Sequence, residues 1–307
     1  MSENENEQVS KNRLHGLWAL TNRDLKKWYK APIVFLLTIL QPIVWMGLLG
    51  KSLNLGAIFS LAQIPHVAFN PPLTLAQLGQ LSSAINGLSA SIMRNTFGVT
   101  DYFSFIAMGL VSLATLFTAS FSGMSVVWDR RTGFLSKALS TPVSKSLIIL
   151  SKVLSAALRS VFQAGIVVVV AIVFGLKFGT NFTAFSILGV FAVVFLIAMG
   201  LSSIFITINL RATRIETPQA VLTLFTLPII FASNAFFPIN LMPSWLQIIA
   251  NVNPLSYTTD AVRRLMIFSN GIGKFPFSLP FDFAYVGIFA AVATTIGVVL
   301  SWRFLNK

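Results

Sequence analysis

Cysteine is absent from the 307 residues of this chain, which excludes disulfides and thiolate metal sites and leaves the redox compartment unread. Histidine occurs only as His15 and His66, both outside the long apolar runs. A membrane hydrolase would therefore lack the usual base for its nucleophile, and no group of His, Asp and Glu has metal-ligand spacing. Charge is scarce too: 10% of residues carry it, against about a quarter in a water-soluble domain. No GxxxxGK[ST] phosphate-binding loop is present; the nearest imitation, GIGKF at residues 271–275, has the wrong spacing. The chain thus lacks an ATPase site of its own. Carboxylates avoid the middle of the apolar runs: Asp24, Asp101, Asp129, Glu216, Asp260 and Asp282 fall at segment ends or in loops. An ion-coupled carrier, which needs an acid within the membrane to bind its ion, is disfavoured.

Apolar residues make up what is there. They are 55% of the chain, with a mean hydropathy of +0.79. Six continuous runs, at about residues 33–50, 102–128, 153–176, 184–209, 218–237 and 283–302, are long enough to cross a hydrocarbon core of about 30 Å as helices. They do not alternate, so a barrel is not indicated. The expected fold is an all-α integral membrane protein. Residues 1–32 form a cytoplasmic tail and amphipathic helix, and residues 33–307 a six-helix domain with an extracellular insertion at 51–101. Pro42 is expected to kink the first span, and Pro228 lies inside the fifth.

The net charge of +13 would suit nucleic acid in a soluble protein, but here it follows the membrane. Sixteen Lys and Arg residues lie on one side of the six runs and six on the other, which places both termini in the cytoplasm of a plasma-membrane protein. Residues 1–12 are polar and expected to be disordered. From Arg13 to Lys30, Leu14, Leu17, Trp18, Leu25 and Trp28 recur near helical spacing among basic residues, the pattern of a helix lying in the membrane interface. No early apolar core resembles a cleavable signal, so the first span is expected to target the chain. A second amphipathic helix is predicted at about 73–94, and the nine-residue SWLQIIANV is too short to span. Arg159 alone is a charge well inside a run; snorkelling or a helix-to-helix hydrogen bond is the favoured account of it over a substrate contact.

Two segments carry a more specific signal. Between the second and third runs lies WDRRTGFLSKALSTPVSKSLIILSK, residues 128–152, basic and amphipathic, with Gly133 and Pro142 bracketing a short helical element. Such an element suits a groove on a soluble partner. After the fifth run comes NAFFPINLMPSWLQIIANVNPLSYTTDAVRRL, residues 234–265. The first segment resembles the coupling region of type-2 ABC exporter permeases, and the second resembles the extracellular stretch after their fifth helix. Order, helix boundaries and sides agree with the drug-resistance-like (daunorubicin-resistance-type) branch of that family over nearly the whole chain.

The resemblance implies a permease subunit that exports a hydrophobic or amphipathic substrate: a drug, a lipid or a lipid-linked glycan. It implies a second permease protomer, identical or not, and a cytoplasmic ABC ATPase that binds the ATP and Mg; no cofactor resides on this chain. Asp129, Arg130, Arg131, Gly133, Phe134, Leu135, Lys137 and Leu139 would form the coupling helix. Phe236, Phe237, Pro238, Asn253, Pro254, Tyr257, Asp260 and Arg263 would form a re-entrant gate at the outer end. Ser136 stands where family members often carry Glu, and residues 51–101 are longer than is usual there. From the residues alone, a non-transporting membrane scaffold that recruits a cytoplasmic protein is the alternative.

Overall fold

The computed structural model describes residues 3–51, 74–99, 101–140, 143–212, 214, 216–268 and 278–305, and the side chains of all of these except 3–14 and 51. Residues 52–73 of the long insertion and the GIGKF sequence lie outside the described residues. Every regular element described is helical. In chain order these are α1 (Glu3–Tyr29), α2 (Pro32–Trp45, continued by a π-turn at Met46–Lys51) and α3 (Leu75–Ile92). There follow α4 (Tyr102–Arg131), α5 (Phe134–Leu139), α6 (Lys145–Val173) and α7 (Ala184–Asn209). The remainder are α8 (Glu216–Phe231), α9 (Ser244–Val252), α10 (Pro254–Met266) and α11 (Leu279–Leu305).

Helix α4 is the centre of the bundle. Asp101 caps it, its carboxylate accepting from the Ser104 backbone N–H at 2.9 Å, and nearly every residue from Tyr102 to Leu116 is buried, whatever its direction. A helix buried all round must have neighbours on every side; α6, α7, α8 and α10 supply them. Helices α7 and α11 meet through small residues. Thr207 donates to the Gly297 carbonyl (3.2 Å) and Ser203 to that of Ala293 (3.3 Å), the close backbone approach that drives helix association in lipid.

Five helical segments are long and apolar enough to cross a bilayer: Pro32–Gly50, the run that ends at Arg131, Lys145–Val173, Ala184–Asn209 and Leu279–Leu305. The run expected at 218–237 differs. Its helix, α8, has 16 residues and stops at Phe231, so it reaches only about 24 Å at 1.5 Å per residue. Residues 232–235 turn back into the protein instead, because the Ser233 hydroxyl takes the Ile230 carbonyl and other side chains take the carbonyls nearby. Of residues 1–12, expected to be disordered, the described residues 3–12 are helical: α1 starts at Glu3, and no Gly or Pro interrupts it before Gly16. Helix α6 begins eight residues before the expected 153 and so includes Lys152. The amphipathic helix predicted at 73–94 is α3, closed at its start by a Thr74–Gln77 capping box and with none of its own residues buried.

Candidate functional site

The ends of α1, α4 and α6 converge on Asp129 at the basic end of the bundle. Its side chain is 1% exposed. Lys152, itself buried, binds one carboxylate oxygen, and Arg23 (3.3 Å) and Lys27 (3.2 Å) bind the other. Lys152 also reaches Asp24 at 3.4 Å. One acid thus ties α1 to α4 and α6, and its own oxygens are occupied. Arg130 turns inward as well, donating to the carbonyls of Leu210 and Ala212 beyond the end of α7, where orphan carbonyls accept cations.

Gly133, at φ 70°, reverses the chain between α4 and α5. Helix α5 then lies against the bundle: Leu135 and Ala138 are buried with Ile148, and Leu20, Phe134, Leu139 and Val143 pack around them. The Arg23 guanidinium sits 3.1 Å from the Phe134 ring centre. The predicted coupling residues therefore divide. Phe134, Leu135 and Leu139 pack α5 against the bundle, Asp129 binds α1 and α6, and Arg130 binds the chain after α7; Arg131 and Lys137 face outward, as do Thr132, Ser136 and Ser140 beside them.

At the opposite end the predicted gate residues do come together. Arg263 is 1% exposed, and it donates to the carbonyls of Phe105 (3.2 Å), Asn234 (2.7 Å) and Ala235 (2.7 Å) while lying 3.4 Å over the Phe105 ring. Asn253 donates to the carbonyls of Ile229 (2.8 Å) and Ala232 (2.7 Å), and its own oxygen accepts from the Leu255 N–H to cap α10. Pro254 opens that helix, where a missing N–H costs nothing. These two side chains satisfy the backbone groups freed where α8 stops short. Tyr257 donates to the Asn251 carbonyl and stacks on Tyr285 at 3.9 Å. Asp260 pairs with Arg264 at 2.9 Å. Phe237 is exposed and Phe236 half-buried, with Pro238 starting the turn that leads to α9.

Between the two ends, α2, α4 and α8 border an open groove. Its basic half is a cavity of about 940 Å³ lined by α1, α2, α4 and α6, including Lys27, Trp28, Trp45, Phe117 and Arg159. Its other half, about 410 Å³, is lined by Leu110, Leu227, Ile230, Phe236 and Phe237 among others. Gln41, Trp45, Phe117 and Gln163 border both halves, so the two cavities adjoin, one beginning at Asp129 and the other ending at Phe236 and Phe237.

The profile of the ABC-2 type transporter family matches residues 15–267, a stretch that includes the Asp129 cluster, α5 and the clasp. The chain belongs to the ABC-2 type transporter permeases. Similar proteins include the putative transport permease ycf38 of Cyanophora paradoxa, 28% identical over 89% of this chain and 80% of the relative. The daunorubicin resistance ABC transporter permease protein DrrB1 of Streptomyces coeruleorubidus is 24% identical over 62% of this chain and 66% of its own. The probable multidrug ABC transporter permease YbhR of Escherichia coli K12 is 26% identical over 58% of this chain and 48% of its own.

As an ABC-2 permease the chain is a multi-pass membrane transport subunit. Lys152, Arg23 and Lys27 matter to its basic end as partners of Asp129, whereas the sequence shows them only as positive charges of the N-terminal helix and of the segment 128–152. The pairing of Asp129 with Lys152 had one legible signal: an acid closing one span and a base opening the next, joined by a short connection.

Proposed function

We propose that this permease exports a hydrophobic or amphipathic molecule, driven by a separate cytoplasmic ATPase that holds the ATP and Mg. The reading rests on one observation above the others: two adjoining, largely apolar cavities lead from a basic end, suited to a cytoplasmic face, to Phe236 and Phe237 at the start of the segment that holds the short helices. On this reading both termini are cytoplasmic in a plasma membrane. Helix α8 and the turn after it make the fifth span, and α9 and α10 re-enter the membrane to close the outer end. A second permease protomer covers the groove, whose rim on α2 and α8 carries exposed Leu37, Leu40, Leu224 and Leu227. The ATPase docks on the outward strip of α5, and its movement reaches the groove through Asp129, because that residue couples α1 to α4 and α6.

A mild-detergent pull-down of the tagged chain, followed by mass spectrometry and an ATPase assay, tests this. Recovery of a nucleotide-binding subunit, reduced by Lys137→Glu with Ser136→Trp, supports the reading. Those side chains are exposed, so the double variant should keep its stability within about 0.5 kcal/mol per substitution. Recovery of the permease alone, from cells expressing candidate ATPases, would favour a non-transporting scaffold.

A further inference from the structure

Arg159 lies two helical turns beyond Lys152 in α6, deeper in the bundle than the Asp129 cluster. Its Nε donates to the Ser155 carbonyl of its own helix at 3.3 Å. Among the described residues no carboxylate forms an ion pair with it, and Arg159 is one of the residues that line the larger half of the groove. The other charges there are accounted for. Asp24 faces Arg23 at 2.9 Å and Lys152 at 3.4 Å, and Asp129 holds Lys152, Arg23 and Lys27. Two carboxylates therefore meet three cations before Arg159 is added. The groove wall itself carries Asp24, Lys27, Asp129 and Arg159; with Arg23 and Lys152, which pair with Asp129 from outside that wall, four cations stand against two carboxylates at this end.

Apolar surface dominates the remainder. Trp28, Trp45, Phe117 and Phe121 wall the cavity that holds Arg159, and Leu110 and Ile230 continue toward Phe237. A small inorganic ion would leave this lining bare, and a wholly apolar solute would leave the guanidinium without a partner.

We infer that the groove selects amphipaths with an anionic head: a phosphate or carboxylate on Arg159, and an apolar body lying along α2 and α4 toward Phe236 and Phe237. A planar guanidinium binds such oxyanions with paired hydrogen bonds. The inference rests on the exporter reading for the fate of the molecule, but the selectivity itself needs no ATPase.

The test uses purified full-length permease in nanodiscs of neutral phosphatidylcholine. Chain-brominated dodecyl phosphate, its trimethylammonium counterpart and its glucoside are titrated against tryptophan fluorescence, which Trp28, Trp45 and Trp128 report from the cavity wall. The phosphate should bind about tenfold or more tightly than the ammonium compound. Arg159→Gln should bring the two within about twofold while leaving the glucoside unchanged, and Arg159→Lys should keep part of the preference. Equal binding of phosphate and ammonium by the unaltered protein would overturn the inference, as would a preference that survives Arg159→Gln. The first of these holds even if the variant does not fold. Displacement of the phosphate probe by phosphatidylglycerol, added to the disc at the same mole fraction, would identify the occupant as bilayer lipid and overturn its assignment as cargo. Because no ATPase is present, a failed pull-down leaves this result standing, and equal binding here leaves the exporter reading standing.

Discussion

Asp129 shows how much one side chain can hold at a membrane boundary. Its carboxylate answers Lys152, which is only 3% exposed and has Asp24 as its other acid. Taking away one member of a buried pair leaves the other charge uncompensated, which costs far more than the pair contributes when intact. Asp129→Asn should therefore destabilise the purified permease by about 3–5 kcal/mol, measured by unfolding in detergent mixtures. Lys152→Met in the same chain should recover much of the loss, since the stranded charge is gone. A double variant no more stable than Asp129→Asn would show that Asp129 acts chiefly through Arg23 and Lys27. Arg263 follows a different logic. Among the described residues no carboxylate holds it in an ion pair; its charge is spread over three backbone carbonyls and the Phe105 ring, groups that belong to α4 and to the turn after α8.

Among the elements, that turn has the narrowest tolerance. A Cβ on Gly109 would stand 2.2 Å from the Ala235 carbonyl oxygen and 3.0 Å from the Arg263 guanidinium. Only glycine lets the turn rest on α4. Gly109→Ala should cost about 1–3 kcal/mol and open residues 232–235 to faster amide exchange; unchanged exchange there would mean that the turn can shift without loss. The same turn marks where the sequence misled. Phe225 to Phe237 reads as one apolar run, because hydropathy weighs Ala, Phe and Ile alike whether the backbone is helical or folded back. What ends the helix is the supply of partners for its carbonyls, and Asn253 and Arg263 lie 15 residues or more beyond the end of the run at 237. The long spans were legible, since a continuous apolar run with basic flanks has few other physical solutions. The direction of α5 was not. Phe134, Leu135 and Leu139 were placed correctly on a short amphipathic helix, but amphipathicity alone does not say whether its apolar face meets a partner or the parent bundle.

The whole molecule is fastened at both ends and open along one side. The dimer proposed above predicts contact across α2 and α8, and the absence of native cysteine makes each introduced thiol unique. Leu227→Cys on α8, 49% exposed, should form a cross-linked dimer in membranes under oxidation, whereas Ile288→Cys on α11, 66% exposed, should not. Cross-linking from α11 alone would move the interface to the other face. The ion pair at the basic end also bears on how the chain enters the membrane at all. During synthesis α4 leaves the ribosome with an acid near its end, and α6 follows with Lys152 and Arg159 in its first half. Each helix taken singly must bring an unbalanced charge to the lipid, at a cost of about 2.5–3.5 kcal/mol for a residue at mid-depth and less near the interface. Entering together as a hairpin, they bring Asp129 and Lys152 as a neutral couple. Insertion of the third span therefore depends on the second, and a ribosome stalled between them would hold a chain whose next helix has not yet met the partner that lets it settle.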